Sequence, residues 1–307
     1  RRYRFIWVAN LDLQFAIFYF LVIFDRKEFL TMTIKIVTDS TITVEPELIE
    51  KYGITIVPLA ILIDGVLYQD TDLSAAQFMS KMKVSKNLPK TSQPPVGVFS
   101  EVYDQLAEDG SQIISIHLTK ALSGTVEAAR QGAMLSNADV TVIDSDFIDQ
   151  GLKFQVIEAA KLAAEGATKE EILAAIEKTK KNTELFIGIA NLDNLVKGGR
   201  VNRVTGVLSG LLNIKVVMEL VDTSLEPMLK GRGNKTFQKW LDEFADKITG
   251  RQIKEIGISH AENIPFSELM RDKLQPFVDK KIPILDTTST VATHTGPGAW
   301  ALMIEFE

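Results

Sequence analysis

From Ile34 onward, short apolar runs alternate with amphipathic stretches of helical period, the pattern of strands and helices stacked in layers. Ile34 to Thr38 reads as a strand. Pro46 to Tyr52 reads as a helix with proline in its first turn and Gly53 as its stop. Strands are expected at Ile54 to Ile63 and Val66 to Tyr68, joined by the Asp64-Gly65 hairpin pair. Ser74-Ala-Ala-Gln77 is a capping box opening a helix through Met82. A proline-punctuated loop, Pro89 to Pro95, leads to a helix ending near Ala107 and the strand Ile113 to Leu118. The loop Thr119 to Thr125, a helix to Leu135 and the strand Val140 to Ile143 follow. Helices are expected over Gln150 to Ala164 and from the Thr168-Lys-Glu-Glu171 box to about Lys180. A second series has strands at Leu185 to Ala190, Ile214 to Leu220, Ile253 to Ser259, Ile282 to Asp286 and Trp300 to Phe306. Its helices fall near Val204 to Leu212, Phe237 to Ile248 and Ser267 to Val278.

The front of the chain breaks this rhythm. Phe5 to Phe24 is nearly all apolar and follows Arg1, Arg2 and Arg4, as in a membrane anchor. Asn10, Asp12 and Gln14 interrupt the run, and an aspartate in mid-span costs about 2.5–3.5 kcal/mol on insertion scales. No small-residue cleavage site follows. We therefore expect residues 1–31 to be an extension outside the fold, which starts at Met32, with an anchor as the competing reading. With 307 residues, two domains are expected, at 32–165 and 166–307. Hydrophobic residues make up 46% and charged residues 24%, which suits a globular chain and argues against disorder. The net charge of −6 disfavours nucleic acid as a partner. The absence of cysteine removes disulfides, a thiol nucleophile and thiolate metal sites, in keeping with a cytoplasmic location.

Ligands of open α/β sheets sit beyond the carboxyl ends of the strands. Four hydroxyl-bearing loops fall there or lead into a helix beside it: Thr38-Asp-Ser-Thr41, Thr91-Ser-Gln-Pro94, Leu122-Ser-Gly-Thr125 and Asp144-Ser145. Ser123 and Gly124 precede a helix expected to start near Val126, so their backbone N–H groups would favour an anion. A single serine or threonine in such a place is most often a helix cap, and the functional reading rests on their convergence. His117 lies inside an apolar strand and reads as a structural residue. His260 follows a strand end, and His294 sits in Thr293-His-Thr-Gly-Pro-Gly298, expected to form a fixed turn. No histidine or carboxylate spacing suggests a metal site. Lys197-Gly-Gly-Arg200 brings a guanidinium close to a carboxylate or phosphate, but it is too short for a P-loop, and no dinucleotide fingerprint follows the first strand. Lys230-Gly-Arg-Gly-Asn-Lys235 reads as a solvated turn or a basic interaction patch.

Taken together, Thr38-Asp-Ser-Thr41, Thr91-Ser-Gln-Pro94, Ser123-Gly-Thr125, Gly198-Gly-Arg200, Leu212-Asn-Ile-Lys215 and Thr293-His-Thr-Gly-Pro-Gly298 resemble the DegV family of bacterial fatty-acid-binding proteins, in family order from Met32 to the end. The resemblance implies a two-domain α/β fold, an N-terminal parallel-sheet α/β/α domain plus a C-terminal α/β domain, with one long-chain fatty acid such as palmitate between them. Its carboxylate would be bound by Thr91, Ser92, Ser123 and Gly124, with His294 nearby and Arg200 and Thr293 near the carboxylate or facing a partner. It further implies no cofactor, a carrier and not an enzyme, presentation of the acid to a fatty acid kinase in lipid metabolism, and at most transient membrane contact. His294, with a titration range near neutral pH, would serve the handover. Pro95, Val216, Val217 and Ala292 depart from the family pattern. The rival reading is a serine hydrolase or acyltransferase using Ser123, His294 and Asp39 or Asp144. It lacks the Gly-x-Ser-x-Gly elbow, since residues 121 to 125 read Ala-Leu-Ser-Gly-Thr.

Overall fold

The structure is a computed structural model and describes residues 33–204, 214–222, 224–233 and 235–307. The expectations for residues 1–31, for most of the Val204 to Leu212 helix and for the Leu212-Asn213 half of the Leu212-Asn-Ile-Lys215 motif lie outside these residues. Ile34–Glu307 packs as one compact unit.

In chain order the first half comprises β1 (Ile34–Asp39), α1 (Pro46–Tyr52), β2 (Thr55–Val57), β3 (Ala60–Ile63), β4 (Val66–Gln69), α2 (Ala75–Val84), β5 (Lys90–Ser92), α3 (Val96–Leu106), β6 (Gln112–His117), α4 (Thr125–Leu135), β7 (Val140–Asp144), α5 (Asp149–Ala164) and α6 (Lys169–Asn182). The second half comprises β8 (Thr183–Ile189), α7 (Asp193–Lys197), β9 (Lys215–Val221), β10 (Ser224–Gly231), α8 (Lys235–Ile248), β11 (Ile253–His260), α9 (Ile264–Leu274), β12 (Ile284–Asp286), α10 (Ser289–Thr295) and β13 (Trp300–Phe306).

A parallel sheet ordered β2-β1-β6-β7 forms the N-terminal domain. Ile36, Ile114 and Ile116 point to one face and pack with Leu152, Val156, Ile172 and Ile176 of α5 and α6. Val37 and Ile113 point to the other and pack with Phe99 and Tyr103 of α3 and Ala128 and Ala129 of α4. That alternation, period 2 on the strands against helices on both faces, produces the three-layer α/β/α core.

The second domain is built on a mixed sheet ordered β10-β9-β8-β13-β11-β12. One face is covered by α8 and α9 through Trp240, Phe244, Met270 and Leu274, packed with Phe186 and Trp300. The opposite face carries Leu185, Ile189, Val216, Met218 and Leu220 and meets Ile61, Phe78 and Met79. The indole of Trp300 lies so tightly on Gly188 that a β-carbon there would overlap the ring.

Besides β10 and α7, which the sequence pattern did not suggest, three elements near the site differ from the expectation. The single strand expected over Ile54 to Ile63 is two: β2 joins the parallel sheet, and after Pro58 the chain turns so that β3 founds a small antiparallel sheet ordered β4-β3-β5. The loop expected over Pro89 to Pro95 contains β5, which pairs Thr91 with Ile61. Thr293 to Thr295, expected in a fixed turn, close α10. Thr288 caps this helix by accepting from the Val291 N–H, and Gly296, at φ +73°, ends it. The hydroxyl-rich sequence 287–290 hides a helix start because threonine and serine favour caps as strongly as loops.

Candidate functional site

A cavity of about 310 Å³ lies between the carboxyl ends of the parallel strands and the inner face of the second sheet, within the usual range for small-molecule sites. Its wall is mostly aliphatic. Leu59, Leu118, Leu122 and Ile148 come from loops after the parallel strands, Leu185, Ile187, Leu220 and Leu225 from the second sheet, and Leu195 and Val291 from α7 and α10. Leu185 and Ile187 both face the cavity because they are two residues apart on β8.

One end of this cavity is polar, and it gathers residues from four distant segments. Thr91, Ser92 and Gln93 come from β5 and the residue after it, Ser123 and Gly124 from the turn before α4, His294 and Thr295 from α10, and Arg200 from the turn after α7. Ser92, Gln93 and Gly124 are exposed, so the polar end borders solvent. The Gln93 side-chain amide lies over Gly124, so the two hydroxyl loops meet there.

The hydroxyls are already engaged in a particular way. Ser123 Oγ accepts from the Thr125 N–H at 3.3 Å and lies 2.9 Å from Thr125 Oγ1. Thr91 Oγ1 lies 2.9 Å from His294 Nε2. His294 Nδ1 is buried, has no hydrogen-bond partner among the described residues and packs on Gly198. With the proton on Nε2, the ring donates to Thr91 and only an acceptor is left without a partner, which is better tolerated than an orphaned N–H. Thr295 Oγ1 is a further buried hydroxyl without a hydrogen-bond partner among the described residues.

Arg200 donates from Nε to the Leu122 carbonyl at 3.2 Å and from Nη1 to the Gly198 carbonyl at 2.9 Å. The guanidinium therefore braces the Ser123 loop against the turn after α7. Burial first, and the positive charge of Arg200 second, push His294 down to about 4. The expected near-neutral titration of His294 is corrected by this environment: the ring is a neutral imidazole at physiological pH.

Not every expected residue reaches the cavity. Thr293 is fully buried, and its hydroxyl donates to the Ser289 carbonyl at 2.9 Å. The Thr38–Thr41 loop turns inward: Asp39 accepts from the Thr41 N–H and hydroxyl and from the Leu118 N–H, and meets His117 Nδ1 at 3.1 Å. His117 Nε2 then contacts Ser115 Oγ at 2.7 Å, and Ser115 contacts the Tyr103 hydroxyl at 2.8 Å. Asp39, His117, Ser115 and Tyr103 are all buried, and burial pushes the Tyr103 phenol up. This serine, histidine and aspartate chain has the composition of a triad but no face on the cavity; it ties β1 to β6. Ser145 closes on Phe147, accepting its N–H and donating to its carbonyl. His260 faces Asp286 at 3.4 Å, and burial lowers its proton affinity. Lys230 and Gly231 of the basic run end β10, and Lys235 opens α8.

Sequence reasoning missed the Gln93 amide on Gly124, the Thr295 hydroxyl and the buried Asp70. Asp70 accepts from the Ser40 hydroxyl and the Thr290 N–H, both at 2.9 Å, so it ties the first loop to α10 behind the polar end. Burial pushes Asp70 up to about 6. The signal available for Asp70 was a capping pattern around residues 69–72, which hides a buried carboxylate behind a surface motif. Among the described residues, no group of three or more His, Cys, Asp or Glu is placed to hold a metal, and no helix is long and apolar enough to cross a membrane.

Fold and site together define a two-domain α/β protein with a largely aliphatic cavity whose hydroxyl-lined polar end borders solvent. The DegV family model, described as an uncharacterised protein family, matches residues 33–307, and the chain belongs to that family. The DegV domain-containing protein YejH of Lactococcus lactis is 62% identical over 278 residues, 90% of this chain and 100% of the relative. A solved DegV family protein of Thermus thermophilus, described by its fatty acid binding, superposes with a TM-score of 0.82 at 27% identity, covering 90% of this chain and 100% of that one. DegV of Bacillus subtilis, described as a fatty acid binding protein, gives a TM-score of 0.79 at 27% identity, covering 90% of this chain and 100% of that one.

Proposed function

We propose that the protein is a carrier for one long-chain fatty acid, whose tail fills the aliphatic cavity and whose carboxylate lies among Thr91, Ser92, Ser123 and Gly124. The observation that carries this reading is the state of the hydroxyls. Thr91 can accept from His294, and Ser123 can accept from Thr125, so each keeps its own O–H proton to donate toward the cavity. A carboxylate only accepts. Burying an acyl chain gains about 0.8 kcal/mol per CH2, and a carboxylate brought in with it needs donors or its desolvation cancels that gain. The fatty acid binding of the related solved proteins supports the same ligand class.

The solvent-bordering polar end suits presentation of the acid to a second protein. A fatty acid kinase is the partner that the reading implies, with Arg200 beside the exposed carboxyl end and a cytoplasmic role in lipid synthesis. The hydrolase alternative has less support. No hydrogen bond joins Ser123 to His294 among the described residues, Asp39 is committed to His117, and Asp144 accepts from the Lys120 and Asp146 N–H groups.

Native mass spectrometry of the purified full chain, followed by lipid analysis after denaturation, tests this directly. The expected result is about one noncovalently bound fatty acid, since an apolar cavity has no stable water-filled form. Fully folded, lipid-free protein refutes the carrier reading, and an acyl group that stays on Ser123 after denaturation replaces it with the enzyme.

A further inference from the structure

Two contacts join α10 to the small sheet β4-β3-β5, and the fatty-acid reading uses only one of them. His294 meets Thr91 of β5 at 2.9 Å. One helical turn earlier, the Thr290 N–H donates to the Asp70 carboxylate at 2.9 Å, and Asp70 directly follows Gln69, the last residue of β4. Residues 290 and 294 stand four apart on α10 and so share a face. Asp70 also brackets Leu59. Its N–H donates to the Leu59 carbonyl at 2.8 Å. Its carboxylate accepts from the Ser40 hydroxyl at 2.9 Å, and that hydroxyl accepts from the Leu59 N–H at 3.0 Å. Leu59, Thr91, Thr290 and His294 all line the cavity.

No counter-charge accompanies this buried carboxylate. Asp70 is 5% exposed, and no cation pairs with it among the described residues. The charged group set near it is Asp39, at the end of β1, which repels. Asp72, on the same turn as Asp70, is exposed and accepts from the Gln69 N–H. The titratable side chain of α10 is His294, kept neutral by its surroundings. Ser40 and Leu59 bring no charge. Burying an unpaired charge is costly, and an asparagine would accept from the same Thr290 N–H without it. Tethering alone therefore does not account for a carboxylate here. The Thr290 hydroxyl, buried and without a hydrogen-bond partner among the described residues, stands beside it and is an acceptor for a proton on Asp70.

We propose that Asp70 is a positioning residue for fatty-acid binding, holding α10 and Leu59 so that His294 meets Thr91, and that its carboxylate takes up a proton from solvent when an anionic ligand enters the cavity. This rests on the fatty-acid reading above. An acid bound among Thr91, Ser92, Ser123 and Gly124 brings a second negative charge to the cavity that Asp70 backs, and buried like charges raise each other's affinity for protons. The bound acid has the hydroxyls and a border with solvent, so it keeps its charge. Asp70, already pushed up to about 6 by burial, becomes the protonated member. Proton and fatty acid then strengthen each other's binding by the same factor.

The test is displacement of a fluorescent fatty acid by dodecanoate from the full chain between pH 6 and 8, with calorimetry at pH 6.5 in phosphate and in imidazole, whose ionisation enthalpies differ. If the ligand raises the proton affinity of Asp70 about tenfold, wild type binds about fivefold tighter at pH 6 than at pH 8 and takes up about half a proton at pH 6.5. Asp70→Asn should lose both effects; the titration of dodecanoate itself is common to the two proteins. Asp70→Ala folds, because the charge it removes is itself costly, but it frees α10. It should bind more weakly across the range, and the His294 midpoint should rise above the value of about 4 in wild type. Matching pH profiles in wild type and Asp70→Asn overturn the proton uptake. Unchanged affinity and an unchanged His294 midpoint in Asp70→Ala overturn the positioning role. A flat profile with tight binding sinks this proposal alone, whereas wild type that neither carries nor binds a fatty acid sinks the carrier reading and the proposal with it.

Discussion

Gly198→Ala isolates the seat of His294. Gly198 has φ −76° and ψ −4°, right-handed helical geometry that alanine adopts readily, so on backbone grounds the substitution should stabilise by about 0.4–1 kcal/mol. The space is the obstacle. The new methyl carbon would stand 2.9 Å from the Asn194 carbonyl oxygen and 3.0 Å from His294 Cε1, and nearer still to Nδ1. Ordinary contact begins near 3.4 Å, so the ring must retreat, and the 2.9 Å contact with Thr91 is the first to stretch. Overpacking of this kind costs about 1–3 kcal/mol, which exceeds the backbone gain. The net expectation is a loss of roughly 0–2.6 kcal/mol of stability, centred a little above 1. Affinity falls further, because Thr91 loses the donor that turns its own O–H toward the carboxylate; the loss is bounded by the roughly 1.5–3 kcal/mol of a hydrogen bond to a charged group, at most about 150-fold in Kd. Gly199→Ala is the control. It has φ +74° and nothing within 4 Å of its would-be β-carbon, so it should cost about 1–2 kcal/mol of stability through left-handed strain and leave affinity alone. Thermal denaturation and a fluorescent fatty-acid displacement titration measure both. A Gly198→Ala protein at least as stable as wild type and equally avid would refute the placement of His294 and the donor role built on it.

Ser123→Ala removes one donor from a charged acceptor and should cost about 1.5–3 kcal/mol of fatty-acid affinity in the same titration; unchanged binding with intact circular dichroism would move the carboxylate elsewhere. Asp70 has its folded value raised from 3.8 to about 6, so its contribution to stability is fully present below pH 3.8 and is lost as pH rises through 6, about 3 kcal/mol in all. Asp70→Asn should therefore gain on wild type in urea melts as pH rises from 4 to 7, and a stability difference that does not change with pH would contradict the buried carboxylate. For His294, an NMR titration should find the ring neutral down to about pH 4, the value set by burial and Arg200; a midpoint near 6.5 would mean the ring is solvated. Gly188→Ala drives a methyl into the Trp300 indole and should destabilise by at least about 1–3 kcal/mol, so wild-type stability there would refute the packing of the second sheet.

How much of this the sequence disclosed follows from the range of each signal. The capping boxes at Ser74 and Thr168 and the glycine stop after Tyr52 are local, and the helices beginning or ending there form as expected, because both partners of each cap lie within four residues. The short apolar runs of β1, β6 and β8 likewise disclosed strands. Long-range pairing was not disclosed. Whether Lys90–Ser92 is a loop or a strand depends on Ile61, and nothing within the prolines around it reports that partner. The same limit applied to the site: hydroxyl loops could be nominated from their composition, but the meeting of Thr91 with His294, 203 residues apart, is a property of the fold. The titration of His294 was misjudged for a related reason, since burial and a neighbouring guanidinium are both tertiary facts.

The depressed proton affinity of His294 also says something about the ligand. After burial, its cause is the charge of Arg200, so the guanidinium's field reaches the polar end of the cavity even though its Nε and Nη1 are turned to the carbonyls of Leu122 and Gly198. A field that discourages a proton on imidazole favours a carboxylate in the same place by the same Coulomb term. The acid would then be attracted by a cation that also donates to the Leu122 and Gly198 carbonyls, and held by neutral hydroxyls. A direct, fully buried Arg–carboxylate pair would bind with a larger barrier to separation, because pulling one partner away leaves the other charge uncompensated. Hydroxyl donors with a cation behind them reduce that penalty. The arrangement suits a protein that must capture a carboxylate and later give it up.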